Sequence, residues 1–329
     1  MKLAVVILNW NGKKLLKQFL PSVIQHSKGA DIYIADNAST DDSITFIKTN
    51  YPTIKIIQNK NNGGYAKGYN DALKMVDADI FCLLNSDVEV TQNWLNPVIE
   101  TFKEHKNTAI IQPKILDYNK KEYFEYAGAA GGFIDKYGYP YCRGRIFDTL
   151  EKDLGQYNDT TEIFWATGAC LFIKSNIFNT LNGFDEHFFA HMEEIDLCWR
   201  AKNLGYSIKY VGKSKVYHVG GATLKNTNPK KTYLNFRNSL ITLTKNANGF
   251  VPGKLLIRLI LDGVAAIKFL IELKPKHTFA ILKGHFSYYY QLKRVLSQRK
   301  LIKNKIKYYS RTSIVFDYFV NKKTEYKSL

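Results

Sequence analysis

The 329-residue sequence predicts an α/β fold with a parallel-rich sheet flanked by helices and, beyond it, a basic helical extension. Three observations carry this. Apolar, β-branched runs alternate with helix-period segments from the N-terminus to about residue 110. Polar and acidic residues stand just after each of the first four predicted strands. The charge is also uneven: of a net +18, +13 falls from Val251 onward, where 17 Lys/Arg face 4 Asp/Glu.

Residues 2–8 form a continuous apolar run, as expected of a strand buried on both faces. Residues 13–25 follow with helical spacing at Leu15, Leu16, Phe19, Leu20 and Val23. Residues 31–35 give a second strand, and Asp41 or Asp42 can cap the helix that ends near Asn50. A third strand (54–57), a helix (65–75), a fourth strand (79–84), a helix (94–105) and a fifth strand (109–111) complete the repeat. Successive βα units require parallel strands with right-handed crossovers. Residues 118–160 lack periodicity and read as irregular excursions or short hairpins. A strand is expected over 164–173, a short helix over 175–181, and a helix over 193–204 closed by Gly205. Short strands follow at 207–211 and 215–218, and from Tyr233 the pattern is mostly helical. The division expected is one domain over 1–230, in halves over 1–112 and 113–230, with the extension over 231–329.

Composition narrows the class. At 45% hydrophobic and 23% charged residues, the chain can bury a core and does not read as disordered. Cys82, Cys142, Cys170 and Cys198 form no CxxC and have no zinc-finger spacing, so they read as buried thiols of a reducing compartment. The first apolar run stops at Asn9, too short for a signal peptide, and the default location is the cytoplasm. Residues 255–273 are apolar but contain Arg258, Asp262, Lys268 and Glu272. Each such charge costs about 2.5–3.5 kcal/mol at a bilayer centre. The i,i+4 pairs Arg258–Asp262 and Lys268–Glu272 point instead to an interfacial helix or a packed helix with salt-bridged edges.

Ligands of open parallel sheets bind at the carboxyl ends of the strands. Here those ends carry Asn9-Trp10-Asn11-Gly12, Asp36-Asn37-Ala38-Ser39, Asn59-Lys60-Asn61-Asn62-Gly63-Gly64 and Asn85-Ser86-Asp87. Each alone is a turn signal; four on one edge mark a ligand site. Gly63 and Gly64 make a tight turn into the helix, which also permits close backbone approach to a ligand. They do not match a dinucleotide fingerprint or a P-loop, which disfavours nicotinamide and P-loop ATPase chemistry.

From Leu3 to about Asn248 the chain resembles glycosyltransferase family 2, in particular its bacterial rhamnosyltransferase-like branch. The matching segments are VVILNWNG, IYIADNASTDDS, NNGGYAKGYNDAL, CLLNSDVEV, WATGACLFIKSNIF, GFDEHFFAHMEEIDLCWRAKNLGY, VYHVGGAT and YLNFRNSL. The resemblance implies a GT-A fold, a nucleotide-diphosphate sugar donor, a divalent metal (Mg2+ or Mn2+) and inversion at the anomeric carbon. It places Asp36 at the base or ribose, with Asn9, Asn61 and Gly64 as further donor contacts. Asn85-Ser86-Asp87 stands at the family's DxD position, with Asn for the first Asp. Asp87 is then the carboxylate ligand, in keeping with the preference of hard cations for oxygen, and one charge fewer weakens metal binding. His218 matches a histidine that supplies a metal ligand or meets the diphosphate. Trp165, Thr167 and Gly168 fall on the acceptor or donor-sugar side. Arg237 falls where it either contacts the diphosphate or makes a structural salt bridge.

The family's acidic pair matches Glu193-Glu194. On a helical wheel Glu193 shares a stripe with Asp196 and Arg200, whereas Glu194 falls among Leu197, Cys198 and Ala201. A covered face there desolvates Glu194 and raises its pKa, a property expected of a general base. Glu194 is therefore assigned as the base, with Glu193 as its rival. The implied acceptor is a glycan hydroxyl, carried on a polyprenyl-linked lipid, and the branch implies rhamnose from a thymidine diphosphate donor. The basic extension would hold the chain at the anionic inner face of the membrane. The competing expectation is a non-catalytic basic module for nucleotides or RNA, supported by Tyr288, Tyr289 and Tyr290 near Lys293 and Arg294. The carboxylates beside the site disfavour it, since a polyanion binder gains nothing from them.

Overall fold

The computed structural model describes residues 1–220, 228–299 and 306–329. In chain order come β1 (Leu3–Asn9), α1 (Lys13–His26), β2 (Asp31–Asp36), α2 (Ser43–Asn50), β3 (Lys55–Gln58), α3 (Gly64–Leu73) and β4 (Ile80–Asn85). Then follow β5 (Val88–Val90), α4 (Asn96–Glu104) and β6 (Thr108–Asp117). The sheet path is completed by β11 (Thr160–Glu162), β12 (Cys170–Lys174) and β13 (Ser207–His218), in the order β11-β13-β6-β12-β4-β1-β2-β3, with β5 on β13. Strands β3, β2, β1 and β4 are parallel, as the βα repeat requires. Alternate residues of β1 enter opposite cores: Ala4 and Val6 on one face, Leu3, Val5 and Ile7 on the other. All four cysteines are free and buried.

Three expectations need correction. The strand drawn over 164–173 starts only at Cys170, and β12 runs antiparallel to both β4 and β6. Residues 164–169 turn instead toward a second, smaller sheet. That sheet joins β7 (Gly132–Ile134), β8 (Pro140–Cys142), β9 (Arg145–Ile146) and β10 (Thr149–Leu150), so the aperiodic stretch does contain hairpins. The strands drawn at 207–211 and 215–218 are one strand with a register shift between Val211 and Lys215.

Helices α5 (Ser175–Thr180) and α6 (Glu193–Asn203) precede β13, and α7 (Pro229–Asn246), α8 (Val251–Ile271) and α9 (Pro275–Gln298) follow it. Helix α7 packs on α6 and along α9. The approach to α9 is close at Gly284, where a Cβ would lie 3.2 Å from the Tyr233 carbonyl oxygen. The third correction concerns the end of the chain, which is not simply helical. Residues 306–329, including α10 (Ile314–Phe319), dock on the smaller sheet. The Ile314 amide donates to Asp135 (2.9 Å), and the Tyr141 and Ser310 hydroxyls lie 2.9 Å apart. No helix among the described residues is long and apolar enough to cross a membrane.

Candidate active site

The register of the parallel strands builds the site. Asn9 on β1 stands level with Asp36 on β2, and Leu8 with Asn85 on β4, so three strand ends present their polar residues together. Asn9 Nδ2 donates to Asp36 Oδ1 (3.0 Å), and the Ser39 amide donates to Asp36 Oδ2 (3.1 Å). Both side chains are buried, and among the described residues Asn9 Oδ1 has no hydrogen-bond partner. Two of the four acceptor positions of the Asp36 carboxylate remain open. Gly12 makes room for this group: a Cβ there would lie 2.4 Å from Asn9 Oδ1. Trp10 leaves its ring half exposed at the same edge.

The third strand end is organised by residues other than the one expected. Buried Asn37 donates to Asn62 Oδ1 (2.9 Å) and to the Gly64 carbonyl (3.0 Å), and accepts from Asn59 Nδ2 (3.2 Å). Asn61 is exposed beside them. Gly64 has φ +79°, and a Cβ there would meet the Phe189 carbonyl oxygen at 2.5 Å. That carbonyl accepts from the Tyr65 amide (3.0 Å). Gly64 thus lets the start of α3 touch the loop before α6.

After β4, Asn85-Ser86-Asp87 turns the chain into β5, which pairs Val88 with His218 of β13. That pairing sets His218 Nε2 3.2 Å from Asp87 Oδ1 and 3.5 Å from Asn85 Nδ2. On the other side of the ring, Nδ1 lies 3.3 Å from Glu125 Oε1. Asp87, His218 and Glu125 are all buried. Burial alone would push the imidazole down, but Glu125 and Asp87 outweigh it and bring His218 up to about 10. Burial works against ionisation of Asp87 too, yet the hydrogen bond and charge of His218 hold it below the usual carboxylate range. Glu125 was not foreseen. It lies in the aperiodic stretch, where nothing in the spacing links it to a histidine 93 positions later. Its second oxygen accepts from the Ala127 amide (2.6 Å).

The acidic pair opens α6. The loop before it is strained: Phe189, His191 and Met192 have φ of 64°, 68° and 73°. Such residues cost about 1–3 kcal/mol each and persist where surrounding contacts over-determine them. Asn85 N donates to the Ala169 carbonyl (3.0 Å), which sets Gly168 beside the Asn85-Ser86-Asp87 turn. The Gly168 amide in turn reaches the Glu194 carboxylate. The acidic pair therefore shares the sheet edge with the other polar residues. Burial pushes Glu194 up to about 7, against the opposing pull of backbone amides. Burial, then the charge of Glu194, raise Glu193 well above the usual range. Each keeps a buried oxygen without a hydrogen-bond partner, but Glu193 is 4% exposed whereas Glu194 is half-buried. The wheel placed Glu194 on the face to be covered, but the structure buries Glu193 more deeply of the two. The stripe of Glu193 is covered as well, and there Asp196 is paired with Arg200 (2.8 Å) and Lys245 (3.1 Å).

The profile of Glycosyl transferase family 2 matches residues 4–179. The chain belongs to glycosyltransferase family 2. It is 23% identical over 232 residues to an N-acetylglucosaminyl-diphospho-decaprenol L-rhamnosyltransferase of Mycobacterium tuberculosis, covering 66% of this chain and 75% of that one. It is 22% identical to the rhamnosyltransferase WbbL of Escherichia coli, over 65% and 82% of the two chains. Among solved structures it is similar to the mannosyltransferase PcManGT of Pyrobaculum calidifontis, in complex with GDP-Man and Mn2+. The TM-score there is 0.55 at 11% identity, over 88% of this chain and 87% of that one. The fold is GT-A.

Three residues expected at the ligand of this glycosyltransferase are committed elsewhere. Trp165 is buried and donates from Nε1 to the Phe133 carbonyl (2.8 Å), its indole seated where Gly132 has no side chain. Thr167 is buried too, its amide held by Gln112 Oε1 (2.9 Å). Of that segment only Gly168 reaches the site, through its backbone; its carbonyl accepts from Tyr65 Oη (2.8 Å). Arg237 donates from Nη2 to the carbonyls of His187 and Phe188 (both 3.0 Å), and Nη1 donates to Tyr233 Oη (3.2 Å). Among the described residues these contacts clamp the strained loop. Asn238, its neighbour in the same segment, does the same through the Ala190 (3.0 Å) and His191 (2.7 Å) carbonyls.

Proposed function

We propose that this glycosyltransferase moves a hexosyl group, with inversion, from a nucleotide-diphosphate sugar to a hydroxyl of a glycan in cell-surface polysaccharide synthesis. The observation that carries the mechanism is Glu194, a half-buried carboxylate with a pKa of about 7 beside the Gly168 amide. A base poised near neutral pH accepts a proton most effectively. The acceptor hydroxyl oxygen bonds to C1 of the sugar and its proton passes to Glu194. The C1–O bond to the diphosphate breaks, and the nucleoside diphosphate leaves with the electron pair. Glu193, nearly inaccessible, is the weaker candidate; burial and the charge of Glu194 keep it protonated.

Asp36 and Asn9 are assigned to the nucleotide, with Gly64 and Asn85 along the donor. Trp10 offers a ring for the base to stack on. Asp87 and His218 are assigned to a divalent cation, Mg2+ or Mn2+. Among the described residues no group of three His, Cys, Asp or Glu is arranged to hold a metal by itself. The Asp87 carboxylate would suit a hard cation, and His218, raised to about 10, would have to give up its Nε2 proton before it could bind the metal. Glu125 on the far ring nitrogen is the support that a metal-ligating histidine commonly has. When bound, the cation neutralises charge developing on the departing diphosphate.

The names of the two relatives favour rhamnose as the sugar and a polyprenyl-linked acceptor. The excess of Lys and Arg from Val251 onward favours attraction to the anionic inner face of a membrane, where such acceptors lie. The test is Glu194→Gln. Transfer should fall by at least 100-fold while nucleotide affinity stays within a few fold. Intact transfer would remove Glu194 from the mechanism, and loss with Glu193→Gln alone would pass the role to Glu193.

A further inference from the structure

Helix α8 has its polarity inverted. The sequence placed the Arg258–Asp262 pair on a surface edge, but Arg258 and Asp262 are buried, 2% and 0% exposed. They are linked at 2.8 Å, and the guanidinium lies 3.8 Å from the Tyr139 ring centre. Asp262 also accepts from Tyr139 Oη (2.7 Å) and lies 3.1 Å from His285 Nε2. The apolar residues point the other way. Leu256, Ile260, Val264, Ile267 and Ile271 recur at helical spacing and are 58% to 77% exposed. A soluble surface helix has the opposite arrangement.

The stripe continues onto α9. The Thr278 hydroxyl donates to the Ala266 carbonyl (2.9 Å), and Asp262 meets His285, so α9 runs back antiparallel along α8. Its outer face carries Phe279, Phe286 and Tyr290, 69% to 92% exposed. Lys276, Lys283 and Lys293, all exposed, interleave with them at spacings of three and four. At the turn between the helices Leu273 is 88% exposed. The hairpin thus presents one apolar, aromatic and basic surface, too large to be scattered exposure.

We infer that the outer face of the α8–α9 hairpin inserts in the plane of an anionic bilayer, with aliphatic and aromatic side chains below the headgroups and lysines at phosphate level. Charge selects this occupant over a second copy of the chain. Within 251–298 the acids are Asp262, which is buried, and Glu272, which is paired with Lys268 and Lys274. Two such faces would oppose lysine to lysine, whereas anionic headgroups complement them. The inference deepens the membrane part of the proposed function and is independent of the chemistry at the sheet edge. Attraction by charge alone is reversed by salt; insertion of an apolar face is not.

The experiment is flotation of the full chain with vesicles of phosphatidylcholine containing about one third phosphatidylglycerol, at low and high salt, for the parent and for the double variant Ile260→Glu/Ile267→Glu. Both changes are at exposed positions, so the variant should keep the parent melting temperature. Its affinity for UDP, TDP, GDP and CDP, measured in parallel, should match the parent and separates this question from the donor site. The parent should remain bound at high salt, and the double variant should partition at least tenfold less at either salt. Complete release of the parent by salt would overturn insertion while leaving simple attraction standing. Equal flotation of parent and variant would overturn it. So would a concentration-dependent dimer of the parent that the double substitution dissolves, since a second copy would then cover the face.

Discussion

At the scale of single residues, the site is a set of carboxylates given different tasks by their surroundings. Asp196 is held ionised by Lys245, Arg200 and Asn246, despite complete burial. Glu194, on the same helix, is pushed by burial up to about 7. The catalytic expectation is that kcat/KM falls about tenfold per pH unit below pH 7, as Glu194 gains its proton. A stability expectation follows from the same shift. The folded value lies above the 4.5 of an ordinary glutamate. Between 4.5 and about 7 the unfolded chain loses this proton while the folded chain keeps it, so folding weakens as pH rises through that window. Glu194→Gln removes the loss. Its melting temperature relative to the parent should therefore be higher at about pH 8 than at about pH 4. A difference independent of pH would mean that the carboxylate is not desolvated. Glu125 acts through His218. Glu125→Gln should weaken divalent-cation binding by about 10–100-fold, read by metal titration of the nucleotide complex, with metal-free nucleotide binding unchanged. Unaltered metal affinity would leave Glu125 a purely structural acid.

At the scale of elements, the loop from Asp185 to Met192 decides whether the acids stand at the sheet edge. Helix α7 holds it. Arg237 and Asn238 of α7 take its carbonyls, and buried Lys245 pairs with Asp185 (2.8 Å) and with buried Asp196 (3.1 Å). Removing one partner from a buried ionic cluster costs about 3–5 kcal/mol, because the other charges remain without compensation. Lys245→Met should lose stability on that order in urea unfolding, and a loss below about 1 kcal/mol would show that the cluster does not hold the loop. From the other side, Gly64 gives the loop its seat. Gly64→Ala forces a side chain into positive φ and against the Phe189 carbonyl. It should destabilise by more than about 1 kcal/mol and lower transfer more than nucleotide affinity.

At the scale of the whole molecule, the N-terminal half of the fold was legible because its signals are local. β1 reads as an apolar run, α1 has helical spacing, and the residue after each strand sits on the ligand edge by topology alone. Asn9, Asp36, Asn85 and Asp87 were placed on the carboxyl edge of the sheet that way. Glu125 was not, since its role depends on a tertiary neighbour, His218, that no spacing announces. Trp165 and Arg237 misled for the same reason: matching a motif does not show which way a side chain faces. The direction of α8 was the largest surprise. Its i,i+4 ion pair is as compatible with burial against Tyr139 and His285 as with a surface edge, and only packing decides between them.

The central claim is that the carboxyl edge of the sheet binds a nucleoside diphosphate together with a divalent cation at Asp87 and His218. The direct measurement is a thermal-shift panel of uridine, thymidine, guanosine and cytidine diphosphates, each with and without Mn2+, on the parent and on Asp87→Asn. A ligand at 100 times its dissociation constant adds about 2.7 kcal/mol, which raises the melting temperature by several degrees. The account predicts that one nucleotide stabilises the parent, that Mn2+ increases the shift, and that Asp87→Asn loses the metal-dependent part. No shift with any diphosphate, with or without metal, would contradict it.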